Sequence, residues 1–370
     1  MTALARSTAV VLALCAACSS GAKIDAGVGG PDPNAAVNGA RRRCVVRDRV
    51  RVDAARSARV LTWARSPGGP ALFVNLGASL GVVSDGASMR SSDGFFDPRG
   101  AAWVDGRYLL VDGESLVSAD ASLNESRTTR RDLRPPAVAL AGGASHALLV
   151  TGRLARGQAP GYALEAAVLG ADGAALGPSR SLGAPVEGLR GLTARWDFGR
   201  YVVTAESDRA PARRSWVLGP DAELLWDSRA STDEDADEMA LVACPSRGCV
   251  RVRGLVRGGE DPSLYLAPID APQRGWFVGV RDGAQRAVAA SGERVAVLHE
   301  PPGLGGCQVT VVDVARREIL ADFGESFLRC DPSEVMATPT GFVLGGGYAD
   351  PDGNGASSTA VWTRALDCDD

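Results

Sequence analysis

One short pattern returns along this chain at nearly even intervals, and it limits the fold more than any other feature. A small or turn residue is followed by one further residue and then by three or four apolar ones. It appears as ARVLTW from Ala58, GRYLLV from Gly106, SHALLV from Ser145 and GRYVVT from Gly199, and again as GCVRVRG from Gly248, ERVAVL from Glu293 and GFVLGG from Gly341. Successive starts lie 39 to 54 residues apart. That spacing matches a four-stranded propeller blade, a unit that cannot bury its faces alone and must stack on its neighbours.

Other strands flank the landmark, which reads as the second strand of each unit. RGAAWVD, PAVALAG, GLTARWD, MALVACP and RAVAAS precede it as first strands, and GYALEAAVL, RSWVLG, SLYLAP, CQVTVVDV and TAVWTRAL follow as third strands. A weaker fourth follows in several units. No long stretch after residue 41 has helical periodicity, and Asp-Gly and Gly-Gly turn signals separate the apolar runs. The expected fold is all-β, a propeller of seven four-stranded blades; a β-sandwich or two stacked β-domains is the alternative, because the repeats are degenerate. The last unit, GFVLGGGYADPDGNGASSTAVW, resembles a kelch repeat in its glycine run and distal tryptophan. No other unit does so as well, and the GH…WD signature of another repeat class is absent.

Composition excludes some partners. A net charge of −4 gives no basic stripe for nucleic acid. The basic clusters RRRC and TTRRDLR, around Arg41 and Arg130, are too small to argue otherwise.

The amino terminus points to export. MTALARSTAVVLALCAACSS carries one early charge, Arg6, and an apolar run from Ala9 to Leu14 that is too short to span a bilayer. Ala16-Ala17-Cys18 resembles the lipobox of bacterial lipoproteins, although Cys15 stands where that family usually has leucine. The resemblance implies a signal peptide over 1–17 and acylation of Cys18. It also implies, through Ser19, sorting to the outer membrane. Residues 18–40, small, polar and rich in Gly and Pro, read as a lipidated cysteine on a flexible tether. Residues 41–370 form the propeller domain, expected to act as a monomer facing the periplasm or the cell surface.

Export permits disulfides, and six cysteines remain after Cys18. Cys244 and Cys249 flank the turn PSRG and face each other across a hairpin. Cys307 opens a third strand, and Cys330 sits in the connection to the seventh unit; the two are expected to pair. The seventh unit ends after its third strand, at Cys368. The unassigned segment RRRCVVRDRVRV, from Arg41, can supply its outer strand and set Cys44 beside Cys368, closing the ring.

Chemistry-bearing motifs are few. His146 and His299, the two histidines, fall toward opposite faces and read as solvated loop or strand-end residues. GASLG around Ser79 matches the nucleophile-elbow pattern but lacks the helix that this motif requires. DPDGNG places Asp350, Asp352 and Asn354 at calcium-loop spacing, although position twelve is Val361 rather than Glu. Calcium is the one cofactor considered. STDEDADE gathers Asp233, Glu234, Asp235, Asp237 and Glu238 into an acidic patch able to attract cations or a basic partner.

Two readings of function follow. The first is a non-catalytic, lipid-anchored binding or scaffold module for an envelope protein or glycan. The second is a carboxylate-dependent hydrolase or lyase acting on glycan. Two carboxylates converging in one apolar-walled pocket would favour the second.

Overall fold

The computed structural model describes residues 44–368 except 48–49, 67, 77–78, 85–87, 96, 125, 156–160, 210–211, 231–239, 256–262, 282–283, 301–305, 326–327 and 349–357; for 54–57, 88, 255, 281, 284–286, 325, 328–333, 348 and 358–359 it describes the backbone alone. The described residues form a ring of seven blades, two of them joined in one continuous sheet, with two short 3-10 turns and no α-helix.

Blade 1 comprises Val50–Ser66, Gly69–Asn75, Ser79–Ser84 and Ser88–Asp93, and blade 2 comprises Pro98–Val104, Arg107–Asp112, Ser115–Ala119 and Ser126–Arg130. Blade 3 has Val138–Gly142, Ala147–Leu154 and Gly161–Leu169, with two short outer pairings, Arg180–Ser181 and Val186–Glu187. Leu189–Asp197, Arg200–Ser207, Arg213–Leu218 and Leu224–Asp227 make blade 4; Leu241–Ala243, Val250–Leu255, Ser263–Pro268 and Trp276–Arg281 make blade 5. Blade 6 runs through Ala284–Ser291, Arg294–Glu300, Cys307–Asp313 and Glu318–Glu325. The first strand named in each blade lines the central channel.

Blade 7 is composite. Leu328–Ala337, Gly341–Tyr348 and Ser358–Cys368 come from the carboxyl end, and the outer edge comes from the amino end. Cys44–Val46 pairs antiparallel with the last strand in the register Cys44↔Cys368, and the chain from Val50 to Asp53 continues along it. The same long strand then crosses to become the innermost strand of blade 1, pairing Arg59 with Asn75. The ring is thus closed by both chain ends, and a Cys44–Cys368 disulfide seals the closure.

Two expectations need correction. ARVLTW, from Ala58, is not a second strand; it lies within the innermost strand of blade 1, and PALFVN is its second. The apolar run that marks a second strand elsewhere occurs here on an inner strand, because that strand is packed between blades 7 and 2. Cys330 lies not in a connection but within the first strand of blade 7, which begins at Leu328.

Each junction between neighbouring blades holds its own apolar cluster, because strand side chains alternate between the two faces of a blade. Phe73, Tyr108 and Leu110 fill the junction of blades 1 and 2, and Tyr201, Trp216 and Leu164 that of blades 3 and 4. The glycine run of blade 7 has a packing reason: a Cβ on Gly345 would lie 2.7 Å from Leu72 and 3.1 Å from the Trp63 ring. Blade 7 therefore approaches blade 1 closely.

Candidate ligand site in the central channel

The innermost strands are rich in alanine and glycine around the axis. They leave a cavity of about 700 Å³ bordered by all seven blades, within the range of pockets that hold small organic ligands. Against that background of small residues, the aromatic and charged side chains on the wall stand out: Trp63, Trp103, Trp196 and Phe198, with Arg65, Arg99, Arg195, Asp197 and Glu334.

Trp103 and Trp196 occupy equivalent places. Each lies near the end of an inner strand and pairs across the hairpin with a tyrosine, Trp103 with Tyr108 and Trp196 with Tyr201. Each indole meets its tyrosine edge-on with ring centroids 4.6 Å apart. The tyrosines are buried and anchor the indoles; burial pushes the Tyr201 phenol above its ordinary range. The turn between them is tight. In blade 4 it is Phe198-Gly199, both with positive φ, at 32° and 85°. Glycine tolerates that conformation, and a phenylalanine there is strained. Phe198 is nevertheless 58% exposed at the channel mouth.

Trp63 comes from blade 1 and is held by blade 7: its Nε1 donates to the backbone carbonyl of Glu334, 3.3 Å away. Glu334 lines the cavity and is partly buried. Desolvation raises its pKa to about 7, opposed by the positive charge of Arg195 from the far side of the ring.

Asp197 also borders the channel, but its carboxylate is committed. It is 1% exposed, accepts from the Arg195 Nε at 3.2 and 3.3 Å, and accepts from the Cys244 backbone N–H at 3.1 Å. Arg195 also donates through Nη2 to the Val242 carbonyl. These contacts tie blade 4 to blade 5. Asp227 is similarly committed, in a two-pronged ion pair with buried Arg214 at 3.1 and 2.5 Å.

The other sites read from the sequence fall elsewhere. Cys18, the acidic patch (Asp233, Glu234, Asp235, Asp237 and Glu238) and the calcium-loop residues Asp350, Asp352 and Asn354 lie outside the described residues. Among the described residues no cluster of three or more His, Cys, Asp or Glu side chains is placed to hold a metal ion. Nor is any helix there long and apolar enough to cross a membrane. Cys244 and Cys249 are joined as expected. Cys307 is disulfide-bonded; the Cys330 side chain is not among those described.

Ser79 is a buried strand residue, 2% exposed, with no helix after it. His146 is partly exposed and bridges Ser145 Oγ and the Pro220 carbonyl at 3.0 Å each. His299 is not solvated but wholly buried. Its ring lies on an inward-facing strand position, and its Nε2 is 3.0 Å from Thr310 Oγ1, which in turn bonds Asp322 at 2.9 Å. That polar chain makes the burial affordable. Arg130, in the second basic cluster, is paired with Asp132, and this hydrogen bond holds the Asp132 carboxyl below its usual range.

Glu334, Arg195 and the three tryptophans were not singled out in the sequence. A usable signal was present: WVDGRY from Trp103 and WDFGRY from Trp196 repeat the same six-residue frame.

No protein-family profile matches the sequence, and no curated protein matches it significantly. Solved structures do match in shape. An oligogalacturonate lyase from Vibrio parahaemolyticus aligns with a TM-score of 0.52 at 11% identity, covering 88% of this chain and 98% of that one. A hydrazine synthase from Kuenenia stuttgartiensis gives 0.52 at 10% identity, covering 84% and 95%. An oligogalacturonate lyase in complex with manganese gives 0.51 at 12% identity, covering 88% and 96%. At such identities the likeness establishes the propeller fold and nothing about activity.

Proposed function

We propose that this chain is a non-catalytic binding propeller of the cell envelope. Acyl chains on Cys18 hold it to the outer membrane, residues 19–40 tether it, and the central channel is its ligand site. The observation that carries the reading is the state of Asp197. Glycoside hydrolysis ordinarily needs two working carboxylates flanking the bond. Of the two channel carboxylates described here, Asp197 is consumed by Arg195 and the Cys244 N–H, which leaves Glu334 to face a ligand. The indoles and Glu334 suit recognition, in which a few polar groups orient a ligand on an apolar wall.

The raised proton affinity of Glu334 favours one second reading, a hydrolase or lyase acting on glycan. A carboxyl that titrates near neutrality in a cavity is a functional-site signature. Capture from envelope extracts with the full-length chain separates the two. Under the binding reading the wild type retains an envelope component unchanged in mass, and Glu334→Gln retains much less. Under the enzyme reading a glycan is shortened by the wild type and left intact by Glu334→Gln. The anchor has its own test: fatty-acid labelling marks the wild type and is lost in Cys18→Ala, and label retained in that variant rules out acylation there.

A further inference from the structure

We propose that the ligand of the channel is a short neutral saccharide, packed against the indoles of Trp103 and Trp196 and hydrogen-bonded at its hydroxyls by Glu334 and Arg195. The inference rests on the channel being the ligand site, and it chooses between the protein and glycan ligands that the functional reading leaves open.

Shape comes first. A folded protein segment would need an open groove, whereas the cavity is ringed by seven inner strands and measures about 700 Å³. That size suits a ligand of a few sugar rings.

The wall chemistry narrows the class. Sugar rings have apolar C–H faces and polar rims, and they need flat apolar surface beside hydrogen-bonding groups. The channel offers both. Trp103 and Trp196 are partly exposed, stand at the same level in blades 2 and 4, and are fixed edge-on by buried Tyr108 and Tyr201. Such rings present contact area at little entropic cost. Trp63 is fixed from the other side by its bond to the Glu334 carbonyl.

Charge points to a ligand without a strong net charge. The wall carries both signs, Glu334 and Asp197 with Arg65, Arg99 and Arg195, and Asp197 and Arg99 are already paired, with Arg195 and Asp97. Glu334 of blade 7 and Arg195 of blade 4 both line the cavity, and the positive charge of Arg195 lowers the pKa that burial raises on Glu334. A neutral polyol satisfies both: its hydroxyls donate to the carboxylate and accept from the guanidinium. Hydrogen bonds to charged groups are the strong ones, and a site built around them rejects analogues that lack the hydroxyls.

The residue at the turn of blade 4 fits the same picture. Phe198 holds a positive φ and stays exposed at the mouth, where blade 2 has Asp105 at the equivalent turn position with φ 41°. The two-residue hairpin sets the positive φ in both blades, and what blade 4 adds at that position is an exposed aromatic ring beside the cavity.

The experiment titrates the full-length chain, in detergent, with four probes: cellotriose, maltotriose, chitotriose and laminaritriose. Three of the seven tryptophans border the channel, so intrinsic fluorescence reports occupancy. At least one probe should change the emission saturably at or below millimolar concentration. Trp196→Ala and Glu334→Gln should each weaken that binding about tenfold, the loss expected for one aromatic or charged contact. Trp103→Phe, which keeps a ring, guards against an unfolded variant; it should bind with an intermediate constant and melt like the wild type. The proposal falls if no trisaccharide changes the emission, or if binding is indifferent to both Trp196→Ala and Glu334→Gln. If the trisaccharides fail while the extract still yields a component whose capture needs Glu334, the saccharide is wrong and the channel reading stands. If that capture fails too, both are wrong.

Discussion

Two regions of the ring solve the same problem by opposite means. Where blade 7 meets blade 1, one strand runs from the outer edge of the first to the inner edge of the second, and a disulfide spans a separation of 324 residues. Where blade 4 meets blade 5, no strand crosses among the described residues. The buried apolar cluster there is small, Val202, Val217 and Val242 with Cys244 and Cys249. Polar bonds do the joining, from Asp197 to the Cys244 N–H and from Arg195 to the Val242 carbonyl. The disulfide in blade 5 spans a separation of only 5 residues and pins one hairpin. One junction is thus held by topology and a long covalent loop, the other by a buried carboxylate. The second arrangement also places a charged residue, Arg195, on the channel wall. Joining two blades and equipping the ligand site are therefore the same act at blade 4, whereas at blade 7 the covalent closure lies at the outer edge and the Trp63–Glu334 bond reaches the channel separately.

Removing the long disulfide should have the largest effect. In the chain-entropy model a loop of that length stabilises by about 5 to 6 kcal/mol. Cys44→Ser with Cys368→Ser should lower the melting temperature markedly and promote aggregation through the freed edge of blade 7. A calorimetric scan under matched redox conditions decides it; an unchanged transition would mean that strand pairing alone closes the ring.

Asp197→Ala should come next, at about 3 kcal/mol, since it strands a partly buried guanidinium and a buried N–H. Denaturant unfolding measures the loss. A cost below that of the short disulfide would break the claim that polar bonds hold the junction of blades 4 and 5.

Cys244→Ser with Cys249→Ser should cost less, about 2 kcal/mol by the same loop-length argument. If this variant proves as unstable as the ring-opened one, loop length is not what separates the two junctions.

The smallest effect belongs to Glu334 and concerns pH. Its folded pKa, about 7, lies above the ordinary 4.5, so the folded chain binds the extra proton between those values. Stability is therefore greatest below about pH 4.5 with respect to this group and declines as pH rises toward 7. With water screening in the channel the expected loss is about 1 kcal/mol, well under the limit of about 3 kcal/mol that the whole shift would set at about 1.4 kcal/mol per unit. Glu334→Gln should flatten that part of the melting-temperature profile. A wild-type profile already flat between pH 5 and 8 would show that the carboxyl is as well solvated as a surface one.

Much of this architecture is legible in the sequence alone, and the reason is local. Period-two alternation, turn glycines and unit length follow from strand geometry and the size of a blade, so seven landmarks sufficed for seven blades. Ring closure was legible for a different reason: a unit lacking its outer strand and an orphan strand at the other end can satisfy each other's backbone groups only by pairing, and Cys44 and Cys368 lie at that register. The first landmark misled because an apolar run does not say which of two buried strands it belongs to. ARVLTW packs between blades and has the same pattern as a second strand.

The site depended on tertiary structure. Arg195, from blade 4, and Glu334, from blade 7, are strangers in the sequence, and only the closure of the ring sets their charges across one cavity. His299 shows the same limit, since a strand-end histidine reads as solvated until Thr310 and Asp322 are seen to receive it. Alternation and turn chemistry are properties of neighbouring residues and survive in a one-dimensional reading. Desolvation and charge pairing depend on every atom within several ångströms, and those atoms come from all seven blades at once.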